Sequence, residues 1–421
     1  MPGPLDGIKI LEFTEIVAGP YSGMLLSDMG ADVIKVEPPW GEPQRTSREM
    51  LPKESRYFIG LNRGKRSLPL DLTRAEGREI LYRLVPETDA VIINARPDVP
   101  RSLGIDYETL SAKNPRLIYC EITAFGREGP DRNRPGYDIV VQAMTGLMAS
   151  EGKVVDGVPQ FIVSSALVDH AAGVSMAWGV CAALYHRERT GKGQKIEISL
   201  LGTALGLQTP RFTQVEETDE QSRADFLELL GQLRERGAGY EEINEYYRAE
   251  TIWVGNIYYR AFQASDGVLA VGCLSDPLRK KLLDVLGLKD IRFEPGYDPE
   301  SEEARVFGRR LVERAEQVFR GKTVDEWLGA FDEVGVPAGP LRFTEELVDD
   351  EQVKANNLVV DLEHSLAGKI KMFGPVLKMS QSPLKAQRAS PALGEHTQEI
   401  LKELGYSTEE IQRFKELKIS G

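Results

Sequence analysis

Two strand-like segments flank a short helix near the N-terminus, and this pattern restricts the fold more than any other feature. Residues 8–13 (IKILEF) and 31–36 (ADVIKV) have the apolar content of buried strands. Between them, residues 17–20 (VAGP) form a turn into an apolar helix that ends at Gly30. A strand, a helix and a second strand in this order predict a parallel sheet within an α/β domain.

The first strand-to-helix turn lacks the usual nucleotide-binding signatures. Gly19-Pro20 does not fit GxGxxG, and no GxxxxGK[ST] occurs in the chain. The free amides at the helix start after Val17 could still hold an anionic group, although a plain structural turn has the same pattern. A later strand at 90–94 ends in Asn94-Ala95-Arg96-Pro97, at the sheet edge where open α/β folds bind ligands.

The stretch 161–200 contains the strongest catalytic candidate. Asp169 precedes a small-residue apolar run with helical spacing, and Thr190-Gly191-Lys192-Gly193 ends that run before a strand at 194–199. Asp169 therefore stands at a helix start. A helix N-cap and a carboxylate nucleophile beside free amides are both consistent with this position.

Length and composition narrow the class of protein. A chain of 421 residues predicts two domains, and a net charge of −13 argues against general nucleic-acid binding. Three widely spaced cysteines, no apolar run of about 18 residues and no signal pattern predict a cytoplasmic protein that does not bind a membrane. Four histidines without metal-ligand spacing predict that no metal is bound.

An ordered set of short motifs runs through nearly the whole chain. It comprises LDGIKILE at 5–12, AGP at 18–20, GADVIKVEP at 30–38, NRGKRS at 62–67, NPRLIY at 114–119, Asp169 with AAG at 171–173, TGKGQ at 190–194, PAGP at 337–340 and GEHT at 394–397. Together these motifs resemble the family III CoA-transferases, also called the CaiB/BaiF family.

The resemblance implies a fold and an assembly. It implies a Rossmann-like large domain with a parallel sheet, formed by residues 1–210 and 335–421, and a smaller α/β domain at 230–334. Residues 211–229 are then a charged linker or insert. Two such chains are expected to form a homodimer of interlocked rings.

The resemblance also implies a site. Asp169 matches the family's nucleophile, Val17 and Ala18 match a turn that contacts CoA through the backbone, and Leu70 matches a residue near the adenine. Asn94 and Arg96 match an altered form of the family's E-N-F-R-P-G run, and Tyr137 matches a tyrosine of the pantetheine channel. Arg101 is the displaced counterpart of a phosphate-binding arginine, because Ser102 occupies the usual position.

The implied reaction moves CoA from an acyl-CoA thioester to a small carboxylic acid, through an aspartyl anhydride and an aspartyl-CoA thioester. Coenzyme A is then a substrate, and no permanently bound cofactor is expected. Its phosphates are expected to lie near four cations at one sheet edge: Lys65, Arg66, Arg96 and Arg101. Three alternatives stay open: a 2-methylacyl-CoA racemase, a CoA-binding partner subunit without activity of its own, and a thioesterase in which water reaches the aspartyl intermediate. Racemases carry Gly-His-Asp where this chain has Gly136-Tyr137-Asp138, and tyrosine is a weak base at neutral pH.

Overall fold

The computed structural model describes residues 1–162, 165–251, 255–298 and 301–420, except for the side chains of residues 249–251, 302 and 305. The chain forms two compact units, one built from residues 1–232 and 351–421 and the other from residues 233–350. Both ends of the chain therefore belong to the larger unit.

A six-stranded parallel sheet forms the centre of the larger unit. Its strands are β1 Lys9–Phe13, β2 Asp32–Glu37, β3 Arg66–Pro69, β4 Ala90–Ile93, β5 Ile118–Thr123 and β6 Gln194–Ser199. The spatial order is β3-β2-β1-β4-β5-β6, and every neighbouring pair is parallel. This is the order of a doubly wound nucleotide-binding sheet, and it confirms the predicted parallel α/β architecture.

Helices cover both faces of the sheet. The helices used below are α1 Ala18–Asp28, α2 Asp138–Met144 and α3 Leu167–Thr190. The other helices of this unit are Arg56–Leu61, Ala75–Leu84, Val99–Leu103, Tyr107–Ser111, Leu147–Ser150, Leu200–Gly206, Thr209–Phe212, Glu351–Ala355, Thr397–Glu403 and Thr408–Glu416, with short 3-10 turns at Pro43–Arg45 and Val85–Glu87. The described residues of this unit also form three hairpins: Glu49–Leu51 with Glu54–Ser55, Val154–Val155 with Val158–Pro159, and Val359–His364 with Gly368–Phe373.

Alternation along the strands separates two hydrophobic cores. Ile10 and Ile92 pack on the side of α1 and α3, whereas their neighbours Leu11 and Val91 pack on the side of Ala75–Leu84 and the C-terminal helices. Successive side chains of a strand point to opposite faces. Strands covered on both faces are therefore apolar at nearly every position, as residues 90–93 are.

The helix α3 is the longest element of the core. Among the described residues it is the one helix whose length and apolar composition would also suit a membrane span. Val168, Met176 and Val180 are nevertheless fully buried in the core of the large unit. Gly191 ends the helix with a φ of 74°, a conformation that glycine adopts without strain.

The smaller unit has its own sheet and its own core. Its strands are β7 Tyr259–Gln263, β8 Val268–Gly272 and β9 Ala338–Pro340. Its helices are Tyr240–Thr251, Asp276–Leu286, Glu302–Phe319, Val324–Val334 and Thr344–Leu347, with a 3-10 turn at Ile291–Phe293. Residues 335–350, which the sequence assigns to the large domain, lie in this unit because β9 pairs with β8.

The charged segment after the last strand of the large unit is helical. Glu216–Glu235 and Tyr240–Thr251 form two helices, and the division between the units falls within the first of them. Residues 211–229, predicted as a linker or insert, are therefore largely helical and lie in the larger unit.

Candidate active site

Two adjoining cavities lie beyond the carboxyl ends of β1 and β4. The strand order changes direction between these two strands, and such a switch point opens a crevice in a parallel sheet. The smaller cavity has a volume of about 100 Å³ and the larger one about 450 Å³. They adjoin because Glu15, Asn94, Ala95, Arg96 and Tyr137 line both of them.

Asp169 lines the smaller cavity from the first turn of α3. It is the third residue of the helix and not its N-cap, which is Ala166 in a left-handed conformation with a φ of 47° and no side-chain cap. The N-cap interpretation of Asp169 is therefore wrong. Among the described residues, none donates a hydrogen bond to its carboxylate, which leaves the side chain available to a ligand.

A second aspartate caps the helix in place of Asp169. The Asp138 Oδ2 atom accepts hydrogen bonds from the backbone N–H groups of Val168 at 2.8 Å and Asp169 at 3.0 Å. Gln142 donates to the other Asp138 oxygen, and its own Oε1 accepts from the Ile162 N–H at 2.7 Å. This network fixes the first turn of α3 and hence the position of the catalytic candidate.

The surroundings of Asp169 favour its neutral form. Only 9% of the residue is exposed, and burial together with the nearby charge of Asp138 raises the pKa of its carboxyl to about 7. Both effects make ionisation less favourable. Burial also removes water from around the carboxyl, and an ionised carboxylate without bound water is a stronger nucleophile.

Close helix packing brings the start of α1 to the same cavity. A Cβ at Gly173 would lie 2.7 Å from the Ala18 carbonyl oxygen, so only glycine lets α3 approach α1 this closely. The neighbouring Val17 and Ala18 line the small cavity with Asp169. No side chain caps α1, so the first backbone amides of this helix donate to no capping side chain.

Comparison with known proteins shows the family to which the chain belongs. The sequence model of CoA-transferase family III matches residues 5–397 of the chain. The chain belongs to this family. A succinate–glutarate CoA-transferase from Agrobacterium fabrum is 35% identical, over 95% of this chain and 96% of its own length.

Other relatives support the same assignment. A formyl-CoA:oxalate CoA-transferase from Rhodopseudomonas palustris is 32% identical over 98% of this chain and 96% of its own. A crystal structure of a CaiB/BaiF family protein from Brucella suis has a TM-score of 0.73 and 31% identity, covering 96% of this chain and all of that one.

The structure of this family III chain brings most of the predicted site residues together. Val17, Ala18 and Asp169 line the small cavity, Leu70 lines the large one, and Asn94, Arg96 and Tyr137 border both. Arg101 is the exception. It is exposed on the short helix Val99–Leu103 and lines neither cavity.

Asn94 makes its contacts with the protein backbone. Its Oδ1 accepts from the Glu15 N–H at 2.9 Å, and its Nδ2 donates to the Glu15 carbonyl oxygen at 2.6 Å. The side chain thus ties the end of β4 to the loop after β1. Its geometry is that of a residue that shapes the site through this loop.

Two cations that the sequence associates with CoA phosphates are occupied elsewhere. Lys65 is fully buried and pairs with Glu12 at 2.8 Å, and Arg66 pairs with Asp32 and with Glu403 at 2.9 Å. The expectation that they form a phosphate-binding patch is wrong, because both cations are paired with carboxylates of the protein and neither lines a cavity. Arg96 remains at the cavities, where it pairs with the exposed Asp98 at 3.1 Å and 65% of its side chain is exposed.

Two contributors to the cavities escaped the sequence analysis. Trp40 lines the large cavity and is 66% exposed, and Arg134 lines the small cavity and pairs with Asp131 at 2.9 Å. A tryptophan directly after Pro38-Pro39, in a loop that follows a predicted strand, was the available signal for the first. The loop at 123–134 was identified only as rich in glycine, proline and arginine.

No group of three or more histidine, cysteine, aspartate or glutamate side chains suitable for a metal ion occurs within the described part of the chain. The three cysteines are free thiols, two of them buried.

Proposed function

We propose that this family III CoA-transferase moves CoA from an acyl-CoA thioester to a small carboxylic acid, with Asp169 as the nucleophile. The observation that carries the proposal is the Asp169 carboxylate itself. It is buried, without a donor among the described residues, and it faces a cavity beside the uncapped start of α1.

The first half of the reaction moves CoA onto the enzyme. An Asp169 oxygen attacks the thioester carbonyl carbon, the C–S bond breaks, and CoA leaves as a thiolate. A mixed anhydride of Asp169 and the donor acid remains. The thiolate then attacks the aspartyl carbonyl carbon, and the donor acid leaves as its carboxylate. The enzyme now carries an aspartyl-CoA thioester, and the acceptor carboxylate repeats both steps in reverse order.

Each attack places negative charge on a carbonyl oxygen. Val17, the N-cap of α1, and Ala18, its first residue, border the same cavity, and their backbone amides can donate to that oxygen. The positive end of the α1 dipole adds to this stabilisation. Burial of Asp169 supplies the positioning and desolvation that turn a weak nucleophile into an effective one.

The large cavity suits the nucleotide end of CoA. Leu70, Leu72 and Val99 supply apolar walls, and the exposed Trp40 ring offers a stacking surface for adenine. Arg96 borders both cavities, where a guanidinium can pair with a phosphate. Tyr137 borders both as well and would flank the pantetheine arm between them.

The acids named in the relatives define the first substrates to test. Succinyl-CoA is incubated with glutarate or oxalate, and formation of the new CoA ester is followed by chromatography. In a second sample without acceptor, acid-quenched enzyme is digested, and the peptide containing Asp169 should gain the mass of CoA less water. Asp169→Ala should bind CoA but show neither product nor adduct. A residual rate within about tenfold of wild type, or roughly 1.4 kcal/mol of barrier, would exclude Asp169 as the nucleophile.

We also propose that the active form is a homodimer of interlocked chains, located in the cytoplasm. An exposed apolar face of α3 supports the proposal of a partner copy. Val174, Trp178 and Tyr185 are 51%, 73% and 66% exposed, and their spacing places them on the same face of the helix. Sedimentation at micromolar concentration should give a dimer that dissociates only on unfolding. A folded, active monomer would contradict this assembly.

A further inference from the structure

The loop that joins β1 to α1 has an unusual backbone conformation. Ile16 has a φ of 71°, in the left-handed region that β-branched residues rarely adopt. Ile16 lines the small cavity and directly precedes Val17 and Ala18. Backbone strain of this kind persists only where the surroundings hold it, and it is concentrated at functional sites.

Side chains from three other segments hold the loop. Glu42 Oε2 accepts a hydrogen bond from the Ile16 N–H at 2.9 Å, and Lys35 Nζ donates to the Thr14 carbonyl oxygen at 2.8 Å. Asn94 bonds both backbone groups of Glu15, as described above. The strained residue itself is held by Glu42.

Glu42 is itself held firmly in place. It is 3% exposed, its Oε1 pairs with Lys35 Nζ at 3.0 Å, and its N–H donates to Glu37 Oε2 at 3.1 Å. Burial disfavours the Lys35 cation, but the carboxylates of Glu42 and Glu12 raise its pKa above the ordinary value. An ionised acceptor at a fixed position makes a stronger hydrogen bond to an amide than a neutral one does.

We propose that Glu42 is a positioning residue for CoA binding, because its carboxylate keeps Ile16 in the left-handed conformation that brings the start of α1 to the cavity. This inference rests on the proposed function, since it concerns how that same site is shaped. Without the acceptor, the strained loop loses part of its binding-competent population, and the apparent affinity for CoA falls by that fraction.

The test compares two substitutions that keep the size of the side chain. Glu42→Met removes the acceptor, whereas Glu42→Gln retains a carbonyl oxygen for the Ile16 N–H. We expect the Kd for CoA, measured by titration calorimetry, to rise about tenfold in the first variant, which corresponds to roughly 1.4 kcal/mol. In the second variant it should stay within about threefold of wild type, below roughly 0.7 kcal/mol.

Ile16→Gly distinguishes a positioning role of Glu42 from a general role in stability. Glycine adopts positive φ without strain, so the loop no longer depends on Glu42. In the Ile16→Gly background, Glu42→Met should raise the Kd by less than about threefold, a coupling that a double-mutant cycle measures directly. Equal losses in both backgrounds would overturn the inference.

Glu54→Met is the matched control. Glu54 is a fully buried acid of the same charged cluster, but it pairs with Arg45 at 3.1 Å and lines neither cavity. Its loss should lower stability while leaving the Kd for CoA unchanged; a Kd raised as much as in Glu42→Met would refute a specific role for Glu42. If Glu42→Met does not fold, the paired Lys35→Met, Glu42→Met variant removes both buried charges and undergoes the same cycle, with Lys35→Met alone as its reference because Lys35 also holds the Thr14 carbonyl.

The wild-type protein separates the two proposals. A wild type that binds no CoA and transfers none contradicts the proposed function. A wild type that binds CoA, with Glu42→Met binding it equally well, contradicts only the positioning role.

Discussion

Replacing Asp169 with asparagine should stabilise the protein, and increasingly so as the pH rises. The carboxyl has an ordinary pKa of 3.8, which burial and Asp138 raise to about 7 in the folded chain. Below pH 3.8 the carboxyl is neutral in both states, so burial carries no ionisation penalty. As the pH rises from 3.8 towards 7, the carboxyl ionises in the unfolded chain but stays neutral in the folded chain, so the folded chain loses relative stability until both are ionised above pH 7.

The magnitude follows from the size of the shift. A difference of about 3 pH units at about 1.4 kcal/mol each gives a full penalty of about 4 kcal/mol above pH 7. At pH 5 the carboxyl is ionised in most unfolded chains but neutral in the folded chain. Between about 1 and 2 kcal/mol of the penalty is therefore already present at pH 5. Asparagine does not titrate. The stability gained by Asp169→Asn should therefore be greater at pH 8 than at pH 5 by about 2–3 kcal/mol.

Urea unfolding at pH 5 and pH 8, at one protein concentration, measures this difference by linear extrapolation. Glu188→Gln is the control, because Glu188 is an exposed acid on the same helix and should change stability by less than about 0.5 kcal/mol at either pH. A gain that is the same at both pH values, or that is larger at pH 5, would refute the electrostatic account of Asp169.

Three further predictions concern the reaction. The acidic limb of kcat/KM should have an apparent pKa near that of Asp169, about 7, because only the ionised carboxyl attacks; Asp138→Asn should move the limb to lower pH, and an unmoved limb would exclude Asp138 as a cause. Trp40→Ala should weaken CoA binding by about tenfold, from the loss of base stacking, but should leave a pantetheine thioester unaffected in calorimetry; equal losses for both ligands would contradict adenine stacking. A 2-methylacyl-CoA in deuterated water without acceptor should gain no α-deuterium, because Tyr137 stands where a racemase has its base; rapid exchange would favour the racemase instead.

The sequence alone determined the elements and the type of architecture. Apolar runs at 8–13, 31–36 and 90–94 became β1, β2 and β4 within a residue or two, because burial on both faces of a parallel sheet requires such runs. Asp169 could be selected from its motif and its place at a helix start. These features depend on neighbours in the chain, so periodicity and short motifs reveal them.

Only the tertiary structure decided which distant residues meet. Strand β9 joins β8 across an intervening stretch of helices, so residues 335–350 belong to the smaller unit. Asp138, and not Asp169, caps α3. Lys65 forms an ion pair with Glu12, and Glu42 accepts a hydrogen bond from the Ile16 N–H. Such pairings depend on packing and desolvation across the whole domain. Because the paired residues are far apart in the chain, no local sequence pattern reveals them.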